Sequence, residues 1–139
     1  MASIAAFSLL VLFPTLLAVD VRHPCNLTVF SNRKRVINVP ANCPNGTVVW
    51  QYPRSSIDLV FSPKDRKTKF EACIGHIVDK TIGKIREIIN GKLERLPFPK
   101  RGDEICTKPT GGMAVIQVVG PRNRTSYAGY IPYYVYDFK

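Results

Sequence analysis

Gly46–Pro63 reads GTVVWQYPRSSIDLVFSP, two apolar runs separated by Pro53 and the polar Arg54–Ser56. In the first run Val48, Trp50 and Tyr52 share one face, with Val49 and Gln51 on the other. In the second, Ile57, Leu59 and Phe61 alternate with Asp58 and Val60. A period of two with β-branched and aromatic content belongs to half-buried strands. Pro53 ends the first and Pro63 the second. Trp50 is the only tryptophan in the chain. A large ring on one face of a central strand fills the space between two sheets. The stretch therefore predicts a layered β structure in which Trp50 and Tyr52 are structural rather than ligand-gripping.

Working outward, Cys43-Pro-Asn-Gly46 is a tight turn signal. Before it, Arg22–Asn42 is polar and turn-rich, with short apolar stretches at Leu27–Phe30 and Val36–Val39. Beyond the second run and a basic loop at Lys64–Lys69, Phe70–Ile89 carries two patterns at once. Phe70, Ile74, Ile77, Val78, Ile82, Ile85 and Ile89 make a helical stripe. Gly75, Gly83 and the many β-branched residues oppose a helix. Asn90-Gly91 stands between KIREII and KLERLPF, the signature of a two-residue hairpin with both turn residues at positive φ. The same pair also suits a helix C-terminus. Strands are the expectation across this segment, and a helix is the alternative. Met113–Val119 reads as a strand and Gly120–Thr125 as a turn. Tyr127–Phe138 is an aromatic-rich strand whose Pro132 points to an edge or a bulge. Short strands separated by Gly/Pro turns predict an all-β sandwich.

At 139 residues the chain suits one domain. Met1–Val19 carries no charge and has an apolar run from Ile4 to Leu17, too short to span a bilayer comfortably. Residues 1–18 are expected to be a secretory signal peptide, leaving 19–139 as a single domain without stable membrane insertion. Cys25, Cys43, Cys73 and Cys106 are an even set in a small secreted chain, which implies two disulfides with three possible connectivities. No C-x-x-C pair supports a zinc or thioredoxin-like reading. Three acceptor sequons, at Asn26, Asn45 and Asn123, agree with an extracellular glycoprotein.

Twenty Lys and Arg against ten Asp and Glu give a net charge of +10. A secreted basic domain meets sulfated glycosaminoglycans, acidic receptor surfaces or anionic membranes before nucleic acid. Lys64, Arg66, Lys67 and Lys69 are the candidate heparan-sulfate patch. Further basic groups lie at Arg33–Arg35, Lys80–Arg86, Lys92–Arg95, Lys100–Arg101 and Arg122–Arg124. Catalytic signals are weak. A ribonuclease-like pair would need His23 and His76 to converge on one phosphate. There is no G-x-S-x-G context or phosphate loop, and oxidised cysteines are not nucleophiles. A binding protein rather than an enzyme is expected. Arg101-Gly102-Asp103 is an integrin-type tripeptide in the loop before Cys106, although a Gly-Asp turn needs no receptor to explain it.

In order along the chain stand Cys43, the G-x-V-x-W-x-Y-P run Gly46–Pro53, Ile57–Phe61, Cys73, Asn90–Leu93, Cys106, Ala114–Val119 and Tyr133–Phe138. This succession resembles the CUB-like first domain of the meteorin family of secreted signalling proteins, and Cys25 stands where that family has its first cysteine. The resemblance covers residues 25–139. It implies a CUB-like antiparallel β-sandwich of jelly-roll type, bridges Cys25–Cys43 and Cys73–Cys106, and strands across 70–89. It also implies a growth-factor or cytokine-like role through a cell-surface receptor or other extracellular protein. Two departures stand out. The family's netrin-like second domain is expected to be missing or supplied otherwise. Calcium-binding CUB domains carry an aspartate shortly after the third cysteine, where this chain reads Cys73-Ile-Gly-His-Ile-Val-Asp79. A hard cation needs several carboxylates in reach, so no cofactor is expected. The rival reading is a cationic secreted effector of defence or salivary type acting on membranes or host proteins. A basic amphipathic helix over 70–89 would favour it.

Overall fold

The computed structural model describes residues 23–30, 35–65, 67–79, 81–123 and 128–138. The leader at 1–18 and the basic residues Arg33, Lys34, Arg66, Lys80 and Arg124 lie outside them. Ten strands run through the described residues: β1 (Leu27–Phe30), β2 (Val36–Val39), β3 (Asn45–Gln51), β4 (Ser56–Phe61), β5 (Lys69–Ile74), β6 (Lys84–Ile89), β7 (Lys92–Leu96), β8 (Ile105–Cys106), β9 (Ala114–Val119) and β10 (Ala128–Phe138). They form two five-stranded sheets, in the orders β1-β3-β10-β5-β8 and β2-β4-β9-β6-β7. The fold is all-β, as expected, but the sheets are mixed rather than antiparallel. β1 runs parallel to β3, and β2 runs parallel to β4. Parallel neighbours need a crossover between them. The first four strands supply it by alternating between the layers, so β3 returns beside β1 and β4 beside β2, each in the same direction.

The two runs of Gly46–Pro63 become β3 and β4, one in each sheet. In β4, Ile57, Leu59 and Phe61 are buried while Asp58 and Val60 are half-buried. Trp50 is 0% exposed and belongs to the shared core. Gly120, just past β9 in the other sheet, makes room for the indole: a Cβ there would stand 2.8 Å from Trp50 Cη2. Tyr52 departs from expectation. It lies beyond the end of β3, where the backbone turns to φ 50°, and its side chain is 40% exposed. The turn that Pro53 begins carries Tyr52 out of the core face.

Phe70–Ile89 forms strands at its two ends. Between β5 and β6 the described residues 75–79 and 81–83 lie in neither strand, and from them Ile77 and Ile82 are buried in the core while Val78 is exposed. Asn90 and Gly91 take φ values of 50° and 77°, and Ile89 pairs with Lys92 across them. This is the two-residue hairpin with both turn residues left-handed.

β10 lies inside its sheet, which corrects the edge or bulge read from Pro132. Its first part pairs with β3 through Ala128–Tyr134, and its second part pairs with β5 through Tyr133–Phe138. The Pro132 carbonyl accepts the Gly75 amide at 2.9 Å. In an extended strand a residue's nitrogen faces the same side as its oxygen. The proline nitrogen therefore points just beyond Ile74, where β5 has ended and no ladder donor is required. The proline sits at a local edge inside a central strand.

The bridges are Cys25–Cys43 and Cys73–Cys106, the pairing the resemblance implies. Cys73 and Cys106 stand directly opposite one another in the β5–β8 register. Between the layers, Phe61 meets Tyr133 edge-on, with ring centroids 5.7 Å apart. Buried Tyr133 donates its hydroxyl to the Cys25 carbonyl. A Cβ at Gly46 would collide with both groups, so glycine is needed there. Burial pushes the Tyr133 phenol from 10.0 up to about 12. Between those values the unfolded chain has released the proton and the folded protein retains it, so stability falls as pH rises through that window. Tyr133→Phe should lack this alkaline component in urea melts at pH 9 to 12. At neutral pH it should cost about 1–3 kcal/mol, because the Cys25 carbonyl loses its donor.

Candidate recognition surfaces

Along β10 the buried residues Gly129, Ile131 and Tyr133 face the core. The period of two turns Tyr130, Pro132, Tyr134, Tyr136 and Phe138 to the outer face. Tyr130 is 51% exposed and Phe138 44%. Tyr134 and Tyr136 stack along the strand at 6.4 Å, with planes 11° apart. Neighbouring strands extend this face. Tyr130 stands beside Val49, which is buried, and Phe30 of β1 stands beside Gln51. On the other side Tyr134 lies next to Cys73 and Tyr136 next to Glu71. The Tyr136 hydroxyl lies 2.9 and 2.8 Å from the two carboxylate oxygens of Glu104. That hydrogen bond is the largest influence raising the Tyr136 phenol above its ordinary value, with desolvation next. The result is an aromatic face with carboxylates along one flank.

The outer face of the second sheet is different. Strand register aligns Val60, Val115, Ile88 and Leu93 in one row. The next row holds Asp58, Gln117, Arg86 and Arg95. Gln117 Nε2 donates to the Asp58 carboxylate at 3.1 Å. Neither face was singled out from the sequence, although the alternating aromatics of Tyr130–Phe138 carried a signal for the first.

Of the candidate heparan-sulfate residues, Lys64, Lys67 and Lys69 are exposed, while Arg66 lies outside the described residues. Asp65 sits among them and accepts the Lys67 amide at 2.6 Å. Lys64 also lines a shallow groove of about 140 Å³ with Cys43, Phe70, Val135 and Asp137. Asn45 and Asn123 are exposed. Asn26 is half-buried, with its Oδ1 accepting the Thr47 amide at 2.9 Å.

His23 accepts the Cys25 amide through Nδ1 at 3.2 Å, and His76 is half-buried in the stretch between β5 and β6. Glu71 lies close to the sulfurs of Cys73 and Cys106, but those sulfurs are bonded to one another. A metal is held by thiolate, which a disulfide does not offer. No protein-family model matches the chain, and no curated protein matches its sequence. The functional reading therefore stands on these surfaces and on the signals in the sequence.

Proposed function

We propose that the protein is a secreted ligand or modulator of growth-factor or cytokine type, acting by protein–protein recognition. The observation that carries this reading is the outer aromatic face of β10. Tyrosine and phenylalanine are enriched in protein interfaces, and contiguous exposed apolar surface marks interaction sites. Glu71 and Glu104 on its flank select the partner: a protein surface with an apolar centre and a Lys/Arg rim. The CUB-like, meteorin-type reading belongs with this proposal, supported by a disulfide pairing that agrees with the one it implies. The sequons and paired cysteines support an extracellular setting. Lys64, Lys67 and Lys69 would hold the protein near sulfated glycosaminoglycans while it acts. Among the described residues of 70–89 the elements are the strands β5 and β6 and not the helix that would have favoured the membrane-active rival. Among the described residues no helix is long and apolar enough to cross a membrane.

The test is equilibrium binding of the labelled glycoprotein to a panel of cultured cells in EDTA. Saturable binding is expected, weakened about tenfold or more in the double variant Tyr130→Ala, Phe138→Ala with an unchanged β-type circular dichroism spectrum. Undiminished binding by that variant would overturn the assignment of the face. On a heparin column, release at or below physiological salt would remove the glycosaminoglycan component and leave the protein-binding face standing.

A further inference from the structure

Arg101-Gly102-Asp103 lies on the segment from β7 to β8, and the structure shows how it is displayed. The Asp103 amide donates to the Lys100 carbonyl at 2.9 Å, and Gly102 adopts φ 84°. That is a four-residue turn with its third residue left-handed, as in type II, where glycine carries no steric cost. Lys100, Arg101, Gly102 and Asp103 are all exposed. Among the described residues, no side-chain hydrogen bond or ion pair engages Arg101 or Asp103.

An exposed tip is ordinarily mobile, but this one is anchored on both sides. Pro99, immediately before the turn, is buried. Immediately after it, Glu104 is held by the Tyr136 hydroxyl. Two residues further on, Cys106 is bonded to Cys73 of β5. The fold thus fixes the base of the turn and leaves its two opposite charges, one on each side of a glycine, to solvent. Pre-setting a loop in one conformation reduces the ordering cost of binding.

We propose that this turn is a ligand for a cation-bearing adhesion receptor of integrin type. Asp103 would supply a carboxylate oxygen to a divalent cation held by the receptor, a hard-cation contact that an aspartate at an exposed tip can make. Arg101 would pair its guanidinium with a receptor carboxylate. The proposal rests on the extracellular reading above but uses a different surface, so the two can fail separately.

The experiment is adhesion of integrin-bearing cells to the immobilised full-length glycoprotein in buffer containing Mg²⁺ and Mn²⁺. Adhesion is expected to be abolished by EDTA and competed by a linear Arg-Gly-Asp peptide. Asp103→Glu keeps the charge and the backbone turn but moves the carboxylate outward by one methylene. It should lower adhesion about tenfold or more, as loss of a matched charge contact does. Tyr130→Ala, Phe138→Ala should retain cation-dependent adhesion. Adhesion that is absent, that survives EDTA, or that is equal in wild type and Asp103→Glu would overturn the proposal. Because binding to the aromatic face is assayed in EDTA, either result leaves that reading to its own test.

Discussion

Replacing Trp50 by alanine should cost about 3–5 kcal/mol in urea unfolding, the range for deleting a large buried ring. A domain this size has about 5–15 kcal/mol in total, so the variant would sit near the limit of folding. The indole is buried between the layers, tight against Gly120. On the side where Gly120 closes over the ring there is no side chain to move into the space. Trp50→Phe should cost distinctly less. Among the described residues the indole N–H has no hydrogen-bond partner, so there phenylalanine forfeits volume and contact but no polar interaction. A Trp50→Ala cost below about 1 kcal/mol would mean that the ring is not a core element.

Removing the Cys73–Cys106 bridge as a pair of alanines should have the next largest effect. Its half-cystines are 33 residues apart, against 18 for Cys25–Cys43. Restricting the unfolded chain over those loops corresponds to about 4 and about 3 kcal/mol respectively. The two-residue β8 would not be lost from the sheet outright. Thr107 donates its amide to the Ala72 carbonyl at 2.8 Å and accepts the Ala72 amide on its hydroxyl at 3.1 Å. The segment from Phe98 to Glu104 should nevertheless loosen and become the first site of limited proteolysis. Chemical unfolding of the two double-alanine variants gives the ranking. A greater loss from the Cys25–Cys43 pair would show that strain or residual structure, not loop length, governs the bridges.

Much of the fold was legible because local chemistry agreed with it. β4 alternates without exception, and Asn90-Gly91 has the residues its backbone angles require. Phe70–Ile89 was ambiguous for a physical reason. Its apparent helical stripe mixes strand residues (Phe70, Ile74, Ile85, Ile89) with Ile77 and Ile82, which reach the core from a loop. Apolar spacing does not distinguish such anchors from a periodic face. Pro132 misled because the rule against proline in sheets concerns its missing donor, and here that donor would have faced the end of a neighbour strand. The parallel pairings of β1 with β3 and β2 with β4 left no local trace, since they depend on where the chain travels between strands. The basic loop at 64–69 was visible as composition. The aromatic face depended on knowing which side of β10 the core would claim, because both sides are rich in apolar residues.

The position of the last two strands bears on how the protein is made. β9 occupies the middle of one layer and β10 the middle of the other, yet both are synthesised after everything they hold together. Until β9 has emerged from the ribosome the second layer consists of two separated halves, and until β10 has emerged the first layer does too. The hairpin of β6 and β7 can form early from neighbours in sequence, whereas most remaining pairings must wait for distant ones. Closure of each layer therefore waits for its middle strand to be made. A nascent chain lacking its final strand exposes unpaired strand flanks and apolar surface, the condition in which chaperone protection matters most.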